Sequence, residues 1–268
     1  DPLFIGVRQS GAAAATANGV IAKATPYTTS GLPVIVILLA PDGGHAVVAI
    51  GHSPSKARIQ PLPRQQQHLS TAIPYAMSSD WVSGLVIHND NSGPYLPLVT
   101  GTHTNARPYC LEHAYGLMVP LPEGVYTNAD EAEMLAVRAI LFASVWFTMA
   151  AGQGPQLPHV GYVLRPYLCT RHAFRHWAKH DPDLDPEARN IYRTVTLPKV
   201  LWVIEIHMEA TFDLTNPANK SRCGEIVLDP AADALHGDAM IFARVTKDLW
   251  TNTKSFQGLL LIEDESSV

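Results

Sequence analysis

Cysteine is scarce in this chain. The 268 residues hold three, Cys110, Cys169 and Cys223, and no two share CxxC spacing. So odd and sparse a set argues against a disulfide framework and fits a reducing compartment, which makes a cytoplasmic location the expectation. Charge is also thin: charged residues are 16% of the chain, the formal net charge is -5, and no Lys/Arg run exists. An electrostatic nucleic-acid surface is therefore not expected. Long apolar runs are missing too. No window reaches the ~18 unbroken apolar residues of a membrane span, and no basic segment of a signal peptide precedes one, so no membrane partner is expected. HExxH is absent, and Gly152-Gln153-Gly154 lacks the helix signature of a phosphate-cradling loop. No metal and no cofactor are expected.

What the chain does have is apolar material: 47% hydrophobic residues suits a buried core in one large or two small domains. Ser10 is a plausible cap for an alanine-rich helix over 10–23. Pro33 to Leu39 reads as a buried strand by its β-branched content, and Pro41-Asp42-Gly43-Gly44 as a turn. His45 to Ile50 returns as a second strand, giving a hairpin. Residues 53–80, with Pro54, Pro61 and Pro63, read as a loop or insertion. Strands follow at Trp81–His88 and Leu111–Leu121.

Residues 128–150 carry the clearest helix. Asn128 is its predicted cap, and Glu131 at the third helical position completes a capping box. Leu141, Val145 and Trp146 are expected to be buried, because the far half is apolar on most faces. A strand over 160–168, weakened by Pro166, leads into a helix over 170–180, ended by Asp181-Pro182-Asp183. Val200–His207 and Gly224–Asp229 read as an antiparallel pair, either in the first sheet or in a second small one. The division expected is 1–125 and 126–268, either as two regions or as parts of one domain.

The chemistry concentrates near His45. Gly31-Leu32-Pro33-Val34-Ile35-Val36 is followed by His45-Ala46-Val47-Val48-Ala49-Ile50-Gly51, then by Val86-Ile87-His88-Asn89. Across residues 30–95 this succession resembles the C-terminal half of the papain-like cysteine peptidases. That family carries a G-x-P-V strand, a turn, a His-Ala-Val strand and a third strand ending in Asn. The resemblance implies an α+β fold with a papain-like antiparallel sheet, packed helices and an additional C-terminal α/β region. It implies His45 as general base and Asn89 as its orienting partner, with Asp90 the second choice. Successive strand side chains point to opposite faces, so only one of Asn89 and Asp90 is expected to face His45. Gly44 and His88 flank these residues as candidate substrate contacts, and loops 53–80 and 92–109 are where specificity is expected.

The nucleophile does not fit the family pattern. No cysteine precedes His45. Gln9-Ser10 offers only a superficial Gln-then-nucleophile start. Cys110 opens a predicted strand, which deprives a thiolate of helix-dipole support. Three accounts follow: a thiol upstream of Asp1 or on a second chain, a scaffold that has lost it, or a permuted order using Cys110. The implied function is hydrolysis of peptide or isopeptide bonds in a protein or peptide substrate. The alternative is an inactive papain-like scaffold that binds a protein or peptide.

Two other groups concentrate ionisable side chains. His172, His176 and His180 share one helix face by their i, i+4, i+8 spacing, and without a further ligand they read as a solvated or partner-facing face. Arg171 and Arg175 beside them are a weaker candidate for an acidic substrate group. Glu205 and His207 share a strand face that reads as a polar sheet edge.

Overall fold

The computed structural model describes residues 2–7, 13–40, 43–59, 64–65, 74–101, 109–150, 161–216, 221–232, 238–245 and 248–251. The chain order begins β1 (Pro2–Gly6), α1 (Ala13–Thr29), β2 (Val34–Ala40), β3 (Gly43–Pro54), β4 (Arg64–Gln65), β5 (Pro74–Met77) and β6 (Val82–Asn89). It continues with β7 (Gly93–Val99), β8 (Ala114–Pro120), α2 (Ala129–Ala150), β9 (Tyr162–Thr170), α3 (Arg171–His180) and α4 (Pro186–Thr194). The last strands are β10 (Val200–Met208), β11 (Arg222–Leu228), β12 (Met240–Val245) and β13 (Asp248–Thr251). Helices and antiparallel strands together make an α+β protein. Two compact units divide the chain: 1–62 with 77–123 and 213–218, and 63–76 with 124–212 and 219–268.

The first unit is built on a six-stranded sheet in the order β1-β8-β2-β3-β6-β7. The hairpin read from the sequence is present: β2 and β3 pair antiparallel from Val34↔Ala49 to Ala40↔Gly43. Alternation sends Val34, Val36 and Leu38 of β2 and Val47 and Ala49 of β3 to one buried face. Helix α1 packs on β3, β8 and β6, burying Ala17, Val20, Ile21, Ala24 and Tyr27. It runs past the 10–23 reading and past Pro26 to Thr29, and residues 10–12 of that reading lie outside the described residues. Gly31, at φ +74°, then takes the left-handed turn that favours glycine. The reading of 92–109 as a loop misses a strand. Asp90 to Ser92 is the turn, and β7 leaves at once, its Pro94 and Pro97 tolerated because β7 is an edge strand.

The second unit has a seven-stranded sheet, β13-β12-β11-β10-β9-β5-β4, so the late strands form their own sheet, and a large one. Asn128 and Glu131 make the capping box that opens α2. Asn128 Oδ1 accepts from the Asp130 and Glu131 amides at 2.9 and 3.0 Å, and Glu131 Oε2 accepts from the Asn128 amide at 2.7 Å. Leu141 is buried as expected, whereas the side chains of Val145 and Trp146 lie outside the described residues. Thr170 caps α3 through the Ala173 amide. Helix α4 escaped the sequence reading although Asp185-Pro186 carries a start signal: Asp185 accepts from the Glu187 and Ala188 amides and Pro186 occupies the first turn. Pro166 does not break β9, whose register with β10 runs through Pro166↔Ile204. Phe174, Tyr192, Leu201, Val203, Val227 and Phe242 form the apolar core shared by α3, α4 and the sheet.

Candidate functional site

His45 and Asn89 meet on the buried face of the first sheet. His45 follows Gly44 on β3, with Val47 and Ala49 on the same side. Asn89 is the last residue of β6, in line with Leu85 and Ile87, which are buried as it is. The β6–β7 ladder shifts register after Ile87, pairs Asn89 with Gly93, and so sets Asn89 at the mouth of a tight turn. Gly93 closes it at φ +110°.

The His45 Nε2 to Asn89 Oδ1 distance is 3.1 Å. The same Oδ1 accepts from the Asn91 backbone amide at 2.9 Å. Two donors converge on this atom, and only the oxygen of a carboxamide accepts, so the amide orientation and the imidazole tautomer follow together. In the neutral ring, Nε2 then carries the proton and Nδ1 keeps its lone pair. That is the arrangement a general base needs: one ring nitrogen held, the other open to a proton.

Asp90 is also near. Its Oδ1 lies 3.4 Å from His45 Nε2, but its side chain is 79% exposed against 15% for His45. It also accepts from the Asn91 amide at 3.0 Å. The shorter contact and the burial make Asn89 the residue that holds His45. Asp90 adds a solvent-screened negative charge beside it.

Of the two candidate substrate contacts, Gly44 is exposed and pairs with Leu39 in the hairpin. His88 is exposed on the face of β6 opposite to Asn89, where Tyr95 meets it edge-on at 5.0 Å. Tyr95 is a non-glycine residue at positive φ, 58°.

One neighbour of His45 was not read from the sequence. Tyr109 stacks on the imidazole, with ring centroids 4.7 Å apart and planes at 18°. Nothing in its local pattern signals this. It lies at the end of the stretch 92–109, and the chain beyond it turns inward at buried Cys110 and Leu111.

None of the cysteines has the environment of an activated thiol. Cys110 is buried, and its Sγ is 3.6 Å from Nδ1 of His113. It leads into a short 3-10 turn, Leu111–His113, before β8. Burial first, and the Glu112 carboxylate second, push its thiol up. Burial pushes Cys169 up to about 12 and Cys223 up to about 11. Ser10 and Gln9 lie outside the described residues.

The second unit holds a charged cluster that the reading of Glu205 and His207 as a sheet edge did not foresee. Strand β10 is central, between β11 and β9, and both residues are buried. Arg165, Glu205, Glu225 and Arg244 stand in one cross-strand row on β9, β10, β11 and β12. Glu205 accepts from Arg222 Nη1 at 2.6 Å, Arg165 Nη1 at 3.0 Å, Tyr167 Oη at 3.1 Å and His207 Nε2 at 3.3 Å. Four donors fill its acceptor sites. Burial alone would raise this carboxyl, but Arg222, the His207 hydrogen bond and Arg165 outweigh it and hold it far below the usual range. Glu225 takes Arg222, two bonds from Arg244 and the Tyr192 hydroxyl. Saturated in this way, the two carboxylates are suited to fixing strands rather than to moving protons. His207 Nδ1 lies 2.9 Å from Ser221 Oγ.

The helix face carrying His172, His176 and His180 is exposed, with the His176 and His180 rings 4.4 Å apart. Arg171 and Arg175 are tied to the carbonyls of Leu197 and Val195 at 2.9 Å each. Among the described residues no group of His, Cys, Asp and Glu is arranged to hold a metal ion, and no helix is long and apolar enough to cross a membrane.

Compared with protein-family models, with curated proteins and with solved structures, the chain matches none, so its functional reading stands on the geometry around His45.

Proposed function

We propose that the first unit supplies the base and orienter of a cysteine-peptidase-like hydrolase acting on peptide or isopeptide bonds. The observation that carries this reading is the His45–Asn89 contact, with Nε2–H donating at 3.1 Å to an oxygen already fixed by the Asn91 amide. The same tautomer serves a papain-type cycle. Nδ1 takes the proton of a thiol, and the thiolate attacks the substrate carbonyl carbon. The imidazolium then gives that proton to the departing amine. Water, losing a proton to Nδ1, hydrolyses the thioester. The thiol belongs to a segment outside this sequence, preceding it or on a second chain. The cycle needs no metal or cofactor, and a thiol nucleophile suits the reducing cytoplasm.

The rival reading is an inactive scaffold of papain-like type that binds a protein or peptide. One observation favours it. Helix α1 precedes the His strand and already covers the sheet face that carries His45, yet no cysteine lies in residues 1–44.

Thiol labelling separates the two. The chain extended by its native upstream sequence is treated with iodoacetamide near neutral pH, with and without His45→Ala. The hydrolase reading expects a fast-labelling cysteine in the added segment that slows at least tenfold in His45→Ala. If no thiol of the longer chain depends on His45, the scaffold reading replaces it.

A further inference from the structure

The Tyr109 ring covers the only residue on which the proposed cycle depends for proton transfer, and the contact is a parallel stack rather than an edge. We propose that Tyr109 is a positioning residue for His45, an inference that rests on the hydrolase reading above. The contacts to Asn89 at 3.1 Å and Asp90 at 3.4 Å both fall on Nε2, so they fix one ring nitrogen and leave rotation of the ring plane about it unopposed. A base is useful only while its free nitrogen points at the proton to be taken, and small misplacements are costly in rate. Tyr109, at 4.7 Å and 18°, blocks out-of-plane rotation. The π-face also suits the imidazolium formed in mid-cycle, because an aromatic face attracts a cation.

Tyr109 is itself held. Cys110 and Leu111, next in the chain, are buried, and the 3-10 turn that contains Leu111 packs under α1. Glu112 in that turn accepts from the Gly101 amide at 3.1 and 3.3 Å. That clasp joins the two ends of the stretch leading to Tyr109. The half-buried ring therefore sits on an anchored backbone, as a positioning group must.

The test is nitrogen NMR of the 268-residue chain with labelled histidine, His45 being assigned by the signal lost in His45→Gln. Wild type is expected to show the Nε2–H tautomer of a neutral ring with a slowly exchanging Nε2 proton. Tyr109→Phe, which keeps the ring, should preserve both. Tyr109→Leu and Tyr109→Ala should average the two nitrogen shifts and speed exchange of that proton at least fivefold, with the backbone amide spectrum otherwise native. An unchanged signature in the folded Leu variant overturns the proposal. So does a loss in Tyr109→Phe as complete as in Tyr109→Ala, since the hydroxyl and not the ring would then matter. In the thiol-bearing longer chain, Tyr109→Leu should lower kcat about tenfold with KM unchanged. A fall in KM-type binding alone would assign Tyr109 to substrate and also overturn the proposal. A longer chain with no activity at all refutes the hydrolase reading and leaves the NMR outcome to judge the stack by itself.

Discussion

Glu205 and Glu225 are direct cross-strand partners on β10 and β11, and Arg222 bridges them. Two like charges placed opposite each other repel, and the guanidinium between them offsets that repulsion. Arg222 Nη1 reaches Glu205 at 2.6 Å and Nη2 reaches Glu225 at 2.9 Å, while its guanidinium lies 3.7 Å over the Trp177 ring. Arg165 and Arg244 close the row at either end.

Removing the bridge should therefore cost more than an ordinary surface ion pair. Arg222→Met keeps the aliphatic stem against Trp177 but leaves two buried carboxylates facing each other. A loss of about 3–5 kcal/mol is expected in urea unfolding. Adding Glu205→Gln and Glu225→Gln should not recover that loss, because it strands Arg165 and Arg244 without their carboxylate partners. A single-variant cost under ~1 kcal/mol would show that solvent already screens the row.

Acid should act on the same row. Burial raises the Glu225 carboxyl, but Arg222 and Arg244 outweigh it, and both carboxyls end below their ordinary values. A carboxyl lowered in the folded state binds fewer protons there than in the unfolded chain. Its stabilisation is whole above the unfolded value, about 4.3, and is withdrawn as pH falls toward the folded one. Wild-type stability, followed by circular dichroism, should therefore drop steeply below about pH 4. The drop should be shallower in Glu205→Gln, which starts less stable at pH 7 but has less to lose.

Asn89 and Asp90 can be told apart by kinetics in a thiol-bearing form of the protein. Asn89→Ala frees the Nε2 proton and should lower kcat by about 10²-fold, within the range set by losing an acid–base catalyst. Asp90→Asn should change kcat less than about threefold, since an exposed charge is weakly coupled. Its effect should shrink further in high salt. The reverse order of the two variants would transfer the orienting role to Asp90.

The cysteines of this sequence should be sluggish. Burial raises all three thiols, Cys169 to about 12 and Cys223 to about 11, so little thiolate exists near neutral pH. Iodoacetamide labelling of the native chain should be slow at each, quicken on denaturation, and be indifferent to His45→Ala. A fast Cys110 that slows in His45→Ala would instead support the permuted order.

The sequence by itself determined the features that depend on near neighbours. Gly-Gly before His45 and the β-branched run before it set the β2–β3 hairpin. Asn128 and Glu131 set the start of α2, and Thr170 the start of α3. Each is a matter of φ preference, period or a cap satisfied within four residues. Even the pairing of His45 with the end of the next strand was legible, because alternation and strand order bring them together. Tertiary structure decided the rest. Asn89 prevailed over Asp90 because the register shift before the β6–β7 turn buries one side chain and exposes the other. Tyr109 reached His45 because the chain beyond it is anchored under α1, sixty-odd residues from the imidazole it covers. Glu205 left the expected sheet edge for a central strand because β11 and β9 flank it. The facing of Glu205 and Glu225 is a register between strands. No local pattern encodes that: it is fixed by which faces are buried and by the arginine that makes the pairing tolerable.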